Sequence, residues 1–303
     1  QLNSFNKISV KSILNINSSN SVSQRNGEDF SRQDQLKGSE FTFKQNTFFT
    51  VQANGEHRLI KPVTFKWYGA FKILDGHIPD QRRILYSKEA GTQHPYRLLI
   101  SNTLSQQSGS RIYQSLSDYI YTAGGDLSYK FKWLEQNQTL KGGYMLQVKD
   151  RLYDAKLFAN YLPLDNDALR LLPADQIFLP ENFGDGTANK FAFDAIKGNT
   201  FRYLANTILN AGFLQLDNEF TKNLRVVWGL RVENYDQLVG SVKQSDPRHT
   251  RTQVTDFLPG MNATYKINQN TNLRLSGSQT VIRPELRELS FLNHYDCEFS
   301  ASV

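Results

Sequence analysis

Residues 63 to 73 alternate strictly: Val63, Phe65, Trp67, Gly69, Phe71 and Ile73 fall at one parity, and Thr64, Lys66, Tyr68, Ala70 and Lys72 at the other. An extended chain sends successive side chains to opposite faces, so this pattern builds a wall with one apolar and one polar face. The pattern recurs. Leu127, Tyr129, Phe131 and Trp133 alternate with Asp126, Ser128, Lys130 and Lys132, and Leu140, Tyr144, Leu146 and Val148 with Lys141, Gln147 and Lys149. Leu224, Val226, Trp228, Leu230 and Val232 oppose Arg225, Val227, Gly229, Arg231 and Glu233. Further strands are expected over 201–219, 256–267 and 272–282, with weaker ones over 7–17 and 41–54, which makes about nine in all. Each is expected to be roughly ten residues long, the length a tilted strand needs to cross a bilayer.

Composition narrows the fold class. Apolar stretches such as Val226 to Leu230 fall far short of the roughly 18 consecutive apolar residues of a spanning helix. Tyr 14 and Phe 20 against two Met favour a β-rich chain. The expected connections fall into two alternating classes: tight ones after Asn54, Trp133, Glu219 and Ile267, and long ones at 18–40, 74–121, 153–200 and 234–254. Short turns on one side and long loops on the other are the asymmetry of an outer-membrane barrel, with periplasmic turns and extracellular loops. Structureless connections of some forty residues would count against a compact soluble domain. Trp67, Trp133 and Trp228 lie at apolar parity, and Trp133 sits at a strand end where an interfacial girdle belongs. The fold class is therefore all-β: a transmembrane antiparallel β-barrel, partial, of about nine strands. Bacterial single-chain barrels have even strand numbers and hydrocarbon tolerates no unpaired edge, so the closing strands are expected from the rest of a longer polypeptide.

Other function classes find little support. A formal net charge of +6, from 35 basic and 29 acidic residues, is a mild excess and argues for no nucleic-acid partner. Cys297 is the single cysteine, so it has no internal disulfide partner, and the five histidines His57, His77, His94, His249 and His294 lack metal-ligand spacing. No metal or other cofactor is expected, and no catalytic residue. A barrel enzyme acting on lipid would need a Ser–His pair using His94 or His249. Asp165, Asp167, Asp185 and Asp194 lack the spacing of a calcium loop and read as solvated loop acids. Gly124 with Gly125, and Gly142 with Gly143, either relieve crowding between aromatics or mark bulges. The chain begins at Gln1 with no basic segment followed by an apolar core, so no signal peptide is expected within it.

Two stretches carry a family resemblance. Phe201 to Asn234, FRYLANTILNAGFLQLDNEFTKNLRVVWGLRVEN, and Leu273 to Asp296, LRLSGSQTVIRPELRELSFLNHYD, resemble the barrel of TonB-dependent outer-membrane receptors, particularly those of Bacteroidota-type bacteria. The run DFLPGMNATYK from Asp256 to Lys266 lies between them, and LPADQIFLPENFG at 172–184 fits more loosely. The signature is RPE-x-REL: Arg283, Pro284, Glu285, Arg287, Glu288 and Leu289.

The resemblance implies a 22-stranded barrel with a plug in its lumen. Residues 1–303 would be part of that one barrel domain, with the plug, the TonB-contacting box and the C-terminal strands outside them. It implies energy-coupled uptake of a scarce solute (a ferric chelate, glycan, peptide or corrinoid) across the bacterial outer membrane. The implied partners are the TonB complex through the plug, outer-membrane lipid and the extracellular solute. The alternative is a passive porin-like or adhesin-like barrel. Within the signature, Pro284 cannot donate to a ladder and is expected to end the strand. Arg283, Glu285, Arg287 and Glu288 are expected to form an ion-pair network ordering the loop base, or to face the plug. Arg225, Arg231 and Glu233 are expected on the lumen face, available to the plug or to an anionic solute.

Overall fold

The computed structural model describes all residues except 1, 2, 4, 134, 188, 293, 294, 297–300 and 303. Cys297 and His294 lie outside the described residues, as does the start of the connection expected over 134–139.

The chain forms one large antiparallel sheet, besides a two-residue pairing of Tyr295–Asp296 with Ala301–Ser302; its long strands are β1 (Asn6–Asp29), β2 (Asp34–Ile60), β3 (Val63–Glu89), β5 (Ser110–Trp133), β6 (Gln136–Tyr161), β8 (Arg202–Glu219), β9 (Leu224–Gly240), β10 (Thr250–Lys266) and β11 (Asn272–Ser278). Two short strands, β4 (Arg97–Leu98) and β7 (Ala192–Ile196), pair with β3 and β6. Each long strand pairs with its sequence neighbour in the order β1-β2-β3-β5-β6-β8-β9-β10-β11, and the sheet is open, with β1 and β11 at its edges. No helix among the described residues is long and apolar enough to cross a membrane.

Register fixes the faces. Directly opposed residues share a face, and the ladders carry Val51 to Phe71, Phe71 to Tyr121, Tyr121 to Val148 and Val148 to Ile208. Nearer the tight turns they carry Leu140 to Leu216, Leu216 to Trp228 and Trp228 to Met261. One continuous apolar face results. In β3 it runs from Val63 to Ile73, about 33 Å along the strand at about 3.3 Å per residue. A tilt near 40° projects this to about 25 Å, the height of a barrel's lipid-facing band. Large apolar side chains on this face stand open to the surroundings: Leu214 is 57% exposed, Trp228 48% and Leu230 42%. A water-soluble sandwich would cover them.

Strand length differs from the expectation. The first five long strands span 24 to 27 residues, not about ten. The excess lies on one side, because the apolar band begins at the tight turns. Beyond Ile73 the outer face meets no hydrocarbon, so the alternation fades while the backbone ladder continues to Glu89. The expected long connections shrink accordingly, to 30–33, 90–109, 162–201 and 241–249; the first tight turn is at 61–62, and the last strand ends at Ser278 rather than 282. Alternation between the two sides of the wall holds.

The 162–201 connection is also more ordered than expected. It contains α1 (Asp167–Arg170), capped by the Asn166 side chain, which accepts from the Leu169 N–H. Leu162, Ile177 and Phe191 bury with Leu98 and Ile100 from the 90–109 connection. Ile84 and Tyr86 at the strand tips pack against this cluster, and the Tyr86 hydroxyl donates to the Leu172 carbonyl at 2.9 Å.

The paired glycines relieve crowding; no register shift interrupts the β5–β6 ladder. A Cβ at Gly124 would stand 2.7 Å from the Tyr68 ring. A Cβ at Gly143 would lie 2.6 Å from the Phe213 ring and 2.8 Å from both the Asp126 Cβ and the Gly125 carbonyl oxygen. The last of these is backbone and cannot rotate away. Gly143→Val is expected to destabilise the protein by about 3 kcal/mol, the upper end for overpacking; an unchanged midpoint in urea unfolding followed by Trp fluorescence would contradict this packing.

Candidate functional site on the lumen face

The face opposite the apolar band carries the charges. Asp118 of β5 is 1% exposed and directly opposes Arg151 of β6, which donates from Nε at 2.6 Å and Nη2 at 2.7 Å. The Lys149 Nζ lies 3.0 Å from the same carboxylate. A carboxylate so removed from water is tolerable only when paired and hydrogen-bonded in this way.

The residues expected from sequence pair at two separate places on this face. Arg225 forks onto Asp217 across the β8–β9 turn, with contacts of 2.8 and 2.5 Å. Arg231 donates from Nε to Glu233 at 2.7 Å. Glu233, 7% exposed, also receives Arg283, whose Nη2 lies 2.8 Å from Glu233 Oε2 and 2.8 Å from Asp256 Oδ2. The Arg283 guanidinium stands 4.4 Å from the centre of the Tyr235 ring, in cation–π range. Arg283 therefore ties β9 to β10 from inside.

This placement follows from the chain's path after β11. The segment from residue 279 turns back along the lumen face, and the Pro284 carbonyl accepts from the Gln237 side-chain amide at 3.5 Å. Leu286 is 5% exposed, buried among Tyr203, Ala205 and Val239, with Tyr153, Leu289 and Leu292 alongside. The Tyr153 and Tyr203 rings beneath it stack at 5.3 Å. A tight turn follows: the Glu285 N–H donates to the Glu288 carboxylate at 3.0 Å, and the Glu288 N–H to the Glu285 carbonyl at 3.1 Å. Arg287 lies within that turn.

Two expectations are corrected. Arg283 pairs with Glu233 and Asp256 of the wall, not with Glu285 or Glu288. Pro284 does not end the strand; β11 ends at Ser278, so the proline sits inside the returning segment, where its lack of an N–H costs nothing. Asp256 and Tyr235 went unrecognised as partners because register, which sequence alone leaves open, decides what opposes what. Asp118 and Arg151, 33 positions apart, met the same obstacle.

Among the described residues, His57 and His249 are held by amide, indole and backbone groups. His249 Nδ1 lies 2.7 Å from the Ser241 backbone carbonyl, and His57 contacts Asn6 and the Trp67 indole N–H. Among the described residues no group of His, Cys, Asp and Glu is arranged to hold a metal. Asp165 and Asp167 are met by Arg97 and Arg170, and Asp185 accepts from Thr187. In the 241–249 loop, the side chain and backbone N–H of Arg248 hold the Asp246 carboxyl well below the usual carboxylate range.

Residues 181–301 match the model of an outer membrane protein beta-barrel family. No curated protein matches the chain in sequence. Among solved structures, the ferric-catecholate import receptor Fiu from E. coli K12 aligns with 92% of this chain and 54% of its own, at 12% identity and a TM-score of 0.49. FpvA from P. aeruginosa aligns with 88% of this chain and 40% of its own, at 10% identity and a TM-score of 0.37. The siderophore receptor PiuA from Acinetobacter baumannii aligns with 86% of this chain and 47% of its own, at 9% identity and a TM-score of 0.35. The chain thus spans about half, or less, of the length of these structures. Its two-faced sheet and the family match over residues 181–301 make it a section of β-barrel wall of the bacterial outer membrane, with the outer membrane protein beta-barrel family represented in its C-terminal part.

Proposed function

We propose that this wall belongs to a TonB-dependent receptor that takes up a scarce solute across the outer membrane by energy-coupled transport. The observation that carries the reading is the returning segment around Leu286. It lays a layer of polypeptide over the lumen face of β6, β8 and β9. A barrel of about eight strands has an interior just wide enough for side chains, whereas the plugged 22-stranded transporters have a lumen that holds folded chain. A wall with polypeptide packed against its inner face suits the wide class. The RPE-x-REL resemblance points the same way, and the plug, the TonB complex and the solute enter as its implied partners. Ferric chelate, glycan, peptide and corrinoid remain the solute classes. The lumen charges described above are neutralised by one another, which favours a structural or plug-facing role for Arg225, Arg231, Glu233 and Arg283 over direct solute capture. The transport reading includes no catalysed reaction.

The test is uptake by cells carrying the intact gene, assayed across those four solute classes with and without a proton-motive-force uncoupler. The expected result is saturable uptake of one class, falling at least about tenfold on uncoupling or on loss of TonB. Uptake indifferent to both, together with constitutive ion conductance in planar bilayers, would identify a passive porin-like barrel instead.

A further inference from the structure

On the lipid-side face, just above the apolar band, a histidine, a serine and an aspartate are gathered. Register sets His77 of β3 opposite Ser115 of β5, and Asp75 opposite Ser117. Asp75 and His77 continue the parity of Ile73 and so share its outward face. Directly opposed residues have their Cβ atoms about 5 Å apart, close enough for a serine hydroxyl and a histidine ring nitrogen to hydrogen-bond. Asp75 stands about 6.6 Å further along β3 on the same face. Just above His77, β3 carries one extra residue between Ile78 and Gln81, the same shift that brings Arg82 opposite Arg111. Such a bulge bends its strand and re-aims the side chains beside it.

All three side chains are uncommitted. Other acids of this face are tied down: Asp80 to Arg111, Asp150 to Asn206 and Asp236 to Arg251. Asp75 differs, because its Oδ1 is buried with no hydrogen-bond partner. Among the described residues the side chains of His77 and Ser115, both exposed, carry no hydrogen bond either. A buried carboxylate oxygen left unsatisfied costs free energy, and a histidine ring two residues away can supply the missing donor. Gln45 opposes His77 from β2 and brings a side-chain amide to the same face. On the other side Asp154 of β6 opposes Ser115, and Arg202 of β8 opposes Asp154. There a cleft of about 710 Å³ opens, lined by Tyr119, Leu152, Phe201, Leu204 and Leu238.

Position selects the substrate. Asp75 and His77 lie two and four residues beyond Ile73, which with a tilt near 40° puts them roughly 5 and 10 Å above the apolar band. That is the interfacial layer, where the acyl esters of lipids border the hydrocarbon. We infer that Ser115, His77 and Asp75 hydrolyse an acyl ester of an outer-leaflet lipid. Ser115 Oγ attacks the ester carbonyl carbon while His77 takes the hydroxyl proton, and the Gln45 amide donates to the oxyanion. Collapse breaks the acyl C–O bond, and His77 returns the proton to the departing alkoxide of the lipid backbone. Water, deprotonated by His77, then cleaves the acyl-serine, giving a fatty acid, a lysolipid and free Ser115. Asp75 positions the imidazole and stabilises its charged form. The apolar cleft beside Ser115 takes the acyl chain. Neither His94 nor His249 takes part, and the activity is independent of what the barrel transports.

The experiment uses the intact protein in detergent micelles with two probes, a diacyl glycerophospholipid and an acylated glucosamine-disaccharide lipid, and measures released fatty acid. Wild type is expected to hydrolyse at least one of them, which names the lipid class. Ser115→Ala and His77→Gln are each expected to lower the rate at least about 100-fold, the scale of a lost nucleophile or general base. Asp75→Asn is expected to lower kcat about tenfold with KM unchanged, as fits a positioning residue. His94→Gln, outside the site, is expected to keep the wild-type rate. A long-chain alkyl fluorophosphonate should label Ser115 of wild type, read by mass spectrometry of the digested protein, and should label His77→Gln at least about tenfold more slowly. Unheated gel mobility reports the folding of each variant. Release of no fatty acid from either lipid by folded wild type, or labelling of a serine other than Ser115, would overturn the proposal. So would an unchanged rate in folded Ser115→Ala or His77→Gln.

Discussion

Leu230→Arg is expected to destabilise the barrel by about 2–4 kcal/mol, the cost of placing a cation on the lipid face near the bilayer midplane. Leu230 stands in the middle of the apolar band, 42% exposed, opposite Leu214 on one side and Pro259 on the other. Its chain neighbour at 231 is already an arginine, satisfied by Glu233 on the other face. A parallel variant, Asn262→Arg, puts the same charge on the lumen face of β10 and is expected to cost less than about 1 kcal/mol. Urea unfolding of both variants in lipid vesicles separates the faces. A tolerated Leu230→Arg with a damaging Asn262→Arg would mean that the wall is turned inside out.

Arg283→Leu is expected to cost roughly 2 kcal/mol and to release the returning segment from the wall. Breaking a buried ion pair costs about 3–5 kcal/mol because it strands the remaining charge. Here Asp256 loses its ion pair while Glu233 keeps Arg231, and Arg283 is 22% exposed, so the figure is discounted for solvent screening. Hydrogen exchange is the sharper readout. Amides of 285–292 are expected to exchange at least about tenfold faster in the variant, while those of β5 and β6 stay unchanged. Unaltered exchange around Leu286 would mean that apolar packing on Tyr203 and Val239 holds the segment without the arginine. Arg283→Lys keeps the charge but loses the planar guanidinium that stands over the Tyr235 ring, and should restore only part of the protection.

Much of the wall was legible because the hydrocarbon imposes period two on every strand that crosses it. Val63 to Ile73 and Leu224 to Val232 declared both their conformation and their faces, and all nine long strands were found. What was not legible lies where that constraint stops. Beyond Ile73 the outer face borders no hydrocarbon, the period-two constraint lapses there, and cross-strand pairing keeps the chain extended to Glu89. The 162–201 connection hid its order for a similar reason: Leu162, Ile177 and Phe191 are scattered in sequence and become a core only when Leu98 and Ile100 arrive from another loop.

The candidate site divides the same way. The polarity of Arg225, Arg231 and Glu233 against their apolar neighbours put them on the lumen side by parity alone. Their partners required register, since a one-residue slip would oppose different side chains and reverse the faces. The single-residue shift that brings Arg82 beside Arg111 leaves no mark in composition or period.

The sequence by itself therefore determined that the chain is a two-faced β wall for the outer membrane and which face meets lipid, because side-chain parity is a local property. Tertiary structure alone decided how far the strands rise above the bilayer, that residues 279–292 fold back onto the lumen face, and that Arg283 joins Glu233 to Asp256. Those outcomes depend on long-range pairing free energies, which are summed over residues far apart in the chain and leave no periodic trace in it.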